Sequence, residues 1–330
     1  MTDYIGIQGQ NILITATDPS NPIEGQIWYN TTSNLLKGYA NVVTNAWASG
    51  GNLNTARANG GGAGTQTAAL YAGGDSGPGT SLTTTELYNG TSWTSNPTGL
   101  NTARQGTGTV GIQTAGLIFG GQSIPGALLS STETFNGSTW SNVPGTLNTA
   151  RRVLSGCGLQ TAALAFGGII TTNSAVTESY NGTTWTSVNS LNTARYTLAG
   201  AGTNTAALAI GGETSVPNVS VGSTELWNGT SWTNNPTGLN TARSALGGAG
   251  TQTSALAFGG WVGVVSAATE LWNGTAWTTS PTSMATARRY FGSAGTQTAA
   301  LAFGGIAPAY SAATEEWTGT AVAVRTITTS

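Results

Sequence analysis

Histidine is absent from this chain, and cysteine and lysine occur once each. Charge of either sign is scarce, with 10 Lys and Arg against 12 Asp and Glu in 330 residues. Each gap removes a class of chemistry. Without histidine the commonest general base and metal ligand at neutral pH is missing. With Cys157 alone, neither an intrachain disulfide nor a Cys/His zinc site can form. A formal net charge of −2 gives no electrostatic draw towards nucleic acid or an anionic membrane. No apolar run approaches the roughly 20 residues that cross a bilayer, so membrane insertion is not expected. The start, MTDYIGIQGQ, lacks a basic stretch followed by an apolar one, so no secretory signal is expected. Solubility falls to Thr, Ser, Asn and 49 glycines, a surface suited to life outside a cell. No metal and no organic cofactor is expected.

What is present is a repeat. The motif Leu/Met-x-Thr-Ala-Arg ends at Arg57, Arg104, Arg151, Arg195, Arg243 and Arg288, at intervals of 47, 47, 44, 48 and 45 residues. A Gly-rich stretch follows each arginine, then a turn such as Gly64-Thr65-Gln66-Thr67. Next comes an apolar run ending on a glycine pair, from Gly73-Gly74 to Gly304-Gly305. A variable loop leads to Thr-Glu, an aromatic, Asn-Gly and tryptophan. The tryptophans are Trp93, Trp140, Trp185, Trp232 and Trp277, with Val322 read in the sixth place. Asn-Gly between β-rich runs predicts a type I′ hairpin, in which both central residues take positive φ. Each unit thus predicts four short strands. The expected fold is all-β: a six-bladed β-propeller with four antiparallel strands per blade, or seven blades if the N-terminus forms one.

The order Arg, apolar strand, Gly-Gly, aromatic-Asn, Trp resembles the kelch repeat over residues 53 to about 325. It departs in having only Asn-Gly-Thr between aromatic and tryptophan, shorter than kelch loops usually are. The first fifty residues differ. Gly25-Gln26-Ile27-Trp28-Tyr29-Asn30 through Leu36-Lys37-Gly38-Tyr39 and Ala46-Trp47 resembles a hairpin element of bacteriophage tail-fibre and virion proteins. The expected division is therefore residues 1–50 as an attachment or assembly segment and 51–330 as the propeller. A divergent seventh blade and a ring-closing strand are the other readings of residues 1–50.

Every repeat carries one landmark arginine and one glutamate: Glu86, Glu133, Glu178, Glu225, Glu270 and Glu315. Ligand sites are usually built from unlike residues, so six copies of each charge read as structural pairs, Arg offering a planar fork to carboxylate. The alternative is a ring of arginines around an anion. The aromatics read as packing between blades. Cys157 stands where other repeats have Ala63, Ala201 and Ala249, and reads as a small buried apolar residue. The loop after the glycine pair varies in length and content while the other turns repeat, and loops on a rigid scaffold carry recognition. The candidate ligand-binding residues there are Asp75, Gln122, Glu213, Trp261 and Tyr310.

These readings predict a bacteriophage virion protein — tail fibre, appendage or capsid decoration — made in the host cytoplasm without a signal peptide. Residues 1–50 would join it to other virion proteins or to further copies of itself. The propeller would attach to a host glycan or surface receptor, with no nucleic-acid partner. A kelch-type protein-interaction adaptor is the alternative. A sialidase-like enzyme is the third reading, opposed by the missing histidine and by Asn-Gly-Thr-Ser-Trp, which lacks the aspartate of a sialidase Asp-box. No catalytic residue is assigned.

Overall fold

The computed structural model describes residues 12–23, 25–42, 45–215 and 218–327, and these form strands and turns without a helix. The N-terminal stretch read for a signal lies outside the described residues. The chain divides into two compact units, Ala46–Thr318 and the combination of Met1–Asn45 with Gly319–Ser330. This boundary differs from the one expected at residue 50.

The larger unit is propeller-like. Its repeats form four-stranded antiparallel sheets in chain order. The first sheet comprises Gly61–Gly64, Ala69–Ala72, Thr85–Tyr88 and Trp93–Ser95. The second has Gly108–Ile112, Ala115–Phe119, Thr132–Phe135 and Trp140–Val143. The third has Ser155–Leu159, Ala162–Phe166, Thr177–Tyr180 and Trp185–Val188. Ala199–Gly202, Ala207–Ile210, Thr224–Trp227 and Trp232–Asn234 make the fourth. Gly247–Gly250, Ala255–Phe258, Thr269–Trp272 and Trp277–Thr279 make the fifth. The sixth takes Gly292–Gly295, Ala299–Phe303 and Thr314–Thr318 from the end of the unit and Ala46–Ser49 from its start.

That last pairing corrects the sequence reading. Trp317 lies opposite Trp47, as Trp272 lies opposite Trp277, so Trp47 and not Val322 fills the sixth tryptophan place. The strand Ala321–Thr326 pairs instead with Leu35–Val42 in the smaller unit. There, Leu13–Thr15 lies parallel to Ile27–Asn30, a parallel pair that the repeat sheets lack.

Small residues at the first strand and large ones beyond it explain the packing. The second strands are buried along their length, as in Ala69–Ala72, and the aromatics fill the spaces between sheets. Trp93 meets Phe303, Phe119 meets Trp185 and Phe166 meets Trp232, with ring centroids 4.8, 4.8 and 5.0 Å apart. Tryptophan N–H groups must find acceptors when buried, and those of the fourth strands each find a threonine of the preceding sheet. Trp140 donates to Thr85, Trp185 to Thr132, Trp232 to Thr177 and Trp277 to Thr224. Trp47 donates to Thr269, and Trp93 donates to Thr314.

The Asn-Gly hairpins depart from the expected turn. Tyr88 pairs with Trp93, leaving a four-residue loop in which Gly90 alone has positive φ. Asn89 stays in an ordinary conformation because its side-chain Oδ1 accepts the N–H groups of Thr91 and Ser92, at 3.0 and 2.9 Å.

Candidate binding site

The landmark charges meet pairwise inside each sheet and are almost fully buried. Arg104–Glu133, Arg243–Glu270 and Arg195–Glu225 close at 2.8, 2.6 and 3.2 Å, and Arg57–Glu86, Arg151–Glu178 and Arg288–Glu315 also pair. Each carboxylate additionally accepts backbone N–H groups of the arginine's own loop, such as Asn101 and Thr102 on Glu133. Burial pulls the Arg195 guanidinium down to about 10, with the Glu225 carboxylate opposing that fall. With their hydrogen-bonding capacity turned inward, these pairs hold the loop that carries each arginine.

That loop places the residues that follow it. In every repeat the residue after the landmark arginine bridges the residue after the glycine pair, as Ala58 does Asp75 and Tyr196 does Glu213. The next residue along has positive φ in all six repeats: Asn59, Gly106, Val153, Thr197, Ala245 and Tyr290. Their backbones join in a cycle. Gly106 N–H donates to Asn59, Val153 to Gly106, Thr197 to Val153, Ala245 to Thr197, Tyr290 to Ala245 and Asn59 to Tyr290, at 2.7 to 3.1 Å. Val153 (φ 48°) and Thr197 (φ 50°) are β-branched residues in a region that such side chains rarely adopt. Strain of this kind persists only where the surroundings enforce it, and it gathers at functional sites.

Beside this cycle lies a cavity of about 400 Å³, lined by Gln105, Gln122, Arg152, Tyr196, Tyr290 and their neighbours. A second cavity, of about 250 Å³, is lined by the Gly, Ala, Ser and Thr of the first strands and offers few functional groups. Cys157 lines that second space, buried, its thiol pushed up by desolvation and donating to the Thr203 carbonyl at 3.3 Å.

The repeats agree almost everywhere except at this mouth. After the landmark arginine stand Ala58, Gln105, Arg152, Tyr196, Ser244 and Arg289, and after the glycine pair Asp75, Gln122, Ile169, Glu213, Trp261 and Ile306. Apart from the landmark pairs, the larger unit has five charged residues: Asp75, Arg152, Glu213, Arg289 and Glu316. The first four stand at these varied positions.

Of the five residues expected to bind ligand, only Gln122 lines the larger cavity. Asp75 accepts from Asn59 at 2.7 Å and from Tyr310. Burial, and then that hydrogen bond to Asp75, push the Tyr310 hydroxyl up to about 12. Glu213 accepts from Tyr196 at 2.7 Å and Ser244 at 3.3 Å. Trp261 carries the Arg289 guanidinium 4.3 Å above its ring. The five are therefore spread around the mouth, and four of them brace its wall. Of the residues missed, Gln105, Arg152 and Tyr196 follow the Thr-Ala-Arg landmark directly and Tyr290 stands one place further on. The signal for them was the loss of repetition immediately after an otherwise repeated motif.

The repeated turns at the other ends of the strands do something different. Gln113 reaches the neighbouring sheet and donates to the carbonyls of Ala69 and Tyr88 at 2.9 and 2.6 Å. Gln66, Gln160, Gln252 and Gln297 make the same double contact. Asn204 replaces this glutamine in the fourth repeat; its backbone carbonyl accepts from Trp227, as those of Gln252 and Gln297 accept from Trp272 and Trp317. Among the described residues no three His, Cys, Asp or Glu side chains gather where they could hold a metal. No family model and no curated protein matches this chain.

Proposed function

We propose that this chain is a six-bladed, kelch-like propeller that acts as a recognition module and binds its ligand at the mouth beside Arg152. Ring closure is supported by the tryptophan–threonine bonds, which pass from each sheet to the one before and return from the first to the sixth. It is supported again by the first strands, whose succession of neighbours returns from Gly292–Gly295 to Gly61–Gly64. One observation carries the functional reading: side-chain identity changes from repeat to repeat at this mouth, while pairs, turns and aromatics hold constant elsewhere. A scaffold of like parts presenting unlike side chains at one end suits binding. It suits catalysis poorly here, because the Asp75 and Glu213 carboxylates are already engaged by neutral donors and no histidine exists.

Aromatic and amide side chains around a compact cavity suit a glycan. On the resemblance of Gly25–Tyr39 to tail-fibre segments, the module is carried on a bacteriophage particle, with the smaller unit joining it to other virion proteins. Two measurements test this. The purified protein on an array of immobilised glycans is expected to retain a defined subset, and an array without retention contradicts glycan recognition. Mass spectrometry of purified particles is expected to find the chain, and its absence contradicts the virion assignment.

A further inference from the structure

The donors and acceptors of the mouth do not balance. Each oxygen of both carboxylates accepts one hydrogen bond from the wall itself, Asp75 from Asn59 and Tyr310, Glu213 from Tyr196 and Ser244. The two guanidinium groups have no such partners. Arg289 is held by stacking on Trp261 at 4.3 Å, and its buried Nε has no hydrogen-bond acceptor. Arg152 lines the cavity, half-buried, and among the described residues its guanidinium meets no carboxylate. Six of the nine arginines meet a carboxylate in the landmark pairs, although Arg57 and Arg195 also leave a buried Nε unpartnered, so what sets Arg152 and Arg289 apart is the missing carboxylate. What these two guanidinium groups lack is a carboxylate partner, and Arg meets a carboxylate with two parallel hydrogen bonds.

The shape narrows the class. Residues of five repeats line the cavity and the backbone cycle lies beside it, a compact space that suits the end of a ligand better than an extended peptide, which needs a groove. The faces of Tyr196 and Tyr290 and the apolar Ile169 and Ile306 suit a ring with both apolar and hydroxyl surfaces. Gln105 and Gln122 supply amide groups for hydroxyls. We infer that the ligand is a carboxylate-bearing sugar at the end of a glycan, its carboxylate held by Arg152. This rests on the mouth being the binding site and adds the charge and the contact.

Titration calorimetry of the intact protein tests it, with N-acetylneuraminic acid and glucuronic acid as acidic probes and glucose and N-acetylglucosamine as uncharged ones. At least one acidic sugar is expected to bind, more weakly as salt rises, and the uncharged pair is not. Arg152→Gln is expected to weaken that binding by about tenfold or more. Its unfolding temperature should match the parent's, because Arg152 braces nothing. Uncharged sugars binding as well as acidic ones would overturn the carboxylate inference and leave the mouth a binding site. Acidic binding untouched by Arg152→Gln would overturn the contact. Binding of poly-glutamate without any sugar would overturn the sugar class. If no probe binds at all, this inference and the glycan reading fall together.

Discussion

A buried ion pair is weak evidence for stability, because desolvation offsets its attraction, yet breaking one leaves a stranded charge. The six landmark pairs therefore matter most when halved. Glu178→Gln strands the fully buried Arg151, and a loss of about 3–5 kcal/mol in urea unfolding is expected. A loss below about 1 kcal/mol would mean that the pair is not what holds the loop. Val153 sits at φ 48°, where glycine is at ease. Val153→Gly is expected to raise stability by about 1 kcal/mol, relief of backbone strain outweighing the entropy of the freer unfolded chain. A fall on the same assay would count against strain there. In the smaller unit, Asp18 accepts from Lys37, Asn30 and Trp28, which bring its carboxyl from 3.8 down to about 2. A folded value below the unfolded one means stability that is complete above pH about 4 and lost as pH falls through about 2. A carboxyl NMR titration of Asp18 should show a midpoint near 2, and a midpoint near 3.8 would remove the contribution.

At the scale of elements, the strand Ala46–Ser49 is the part of the fold that the repeat pattern concealed. Five repeats run strand by strand in order, but the sixth takes its fourth strand from the opposite end of the unit. The periodic landmarks made the sheets and their strands legible, because glycine pairs, Asn-Gly and alternating apolar positions are local signals. Trp47 stands ten residues before Arg57, close to the usual spacing, and so announced itself as a fourth strand, yet nothing local says which sheet it joins. Sheet pairing is settled by partners distant in sequence, here Glu315, Glu316, Trp317 and Thr318. The mouth was half legible for a related reason. Variation in the loops after the glycine pairs was visible, but bridging of those loops to the residues after each arginine is a tertiary fact. A chain beginning at Ala46 and ending at Thr318 is expected to unfold cooperatively. One beginning at Asn52 leaves Thr314–Thr318 as an open edge and is expected to aggregate or lose its sharp transition. Equal behaviour of the two truncations would contradict the closing role of Ala46–Ser49.

For the molecule as a whole, constancy and variation lie at opposite ends of the same strands. The glutamines of the first turns tie five of the six sheets to the sheet before, so that end is committed to holding the assembly together. The other end, with its backbone cycle and unlike side chains, is free to vary without loosening the packing between sheets. The central claim is that recognition occurs at the varied end. Two sets of variants on the glycan array test it most directly: Gln105→Ala, Arg152→Gln and Tyr196→Phe at the mouth, against Thr65→Ala, Thr114→Ala and Thr161→Ala in the repeated turns. The mouth set is expected to lose the glycans bound by the parent while the turn set keeps them. Retention by the mouth set, with loss in the turn set, would place recognition on the other end and contradict it.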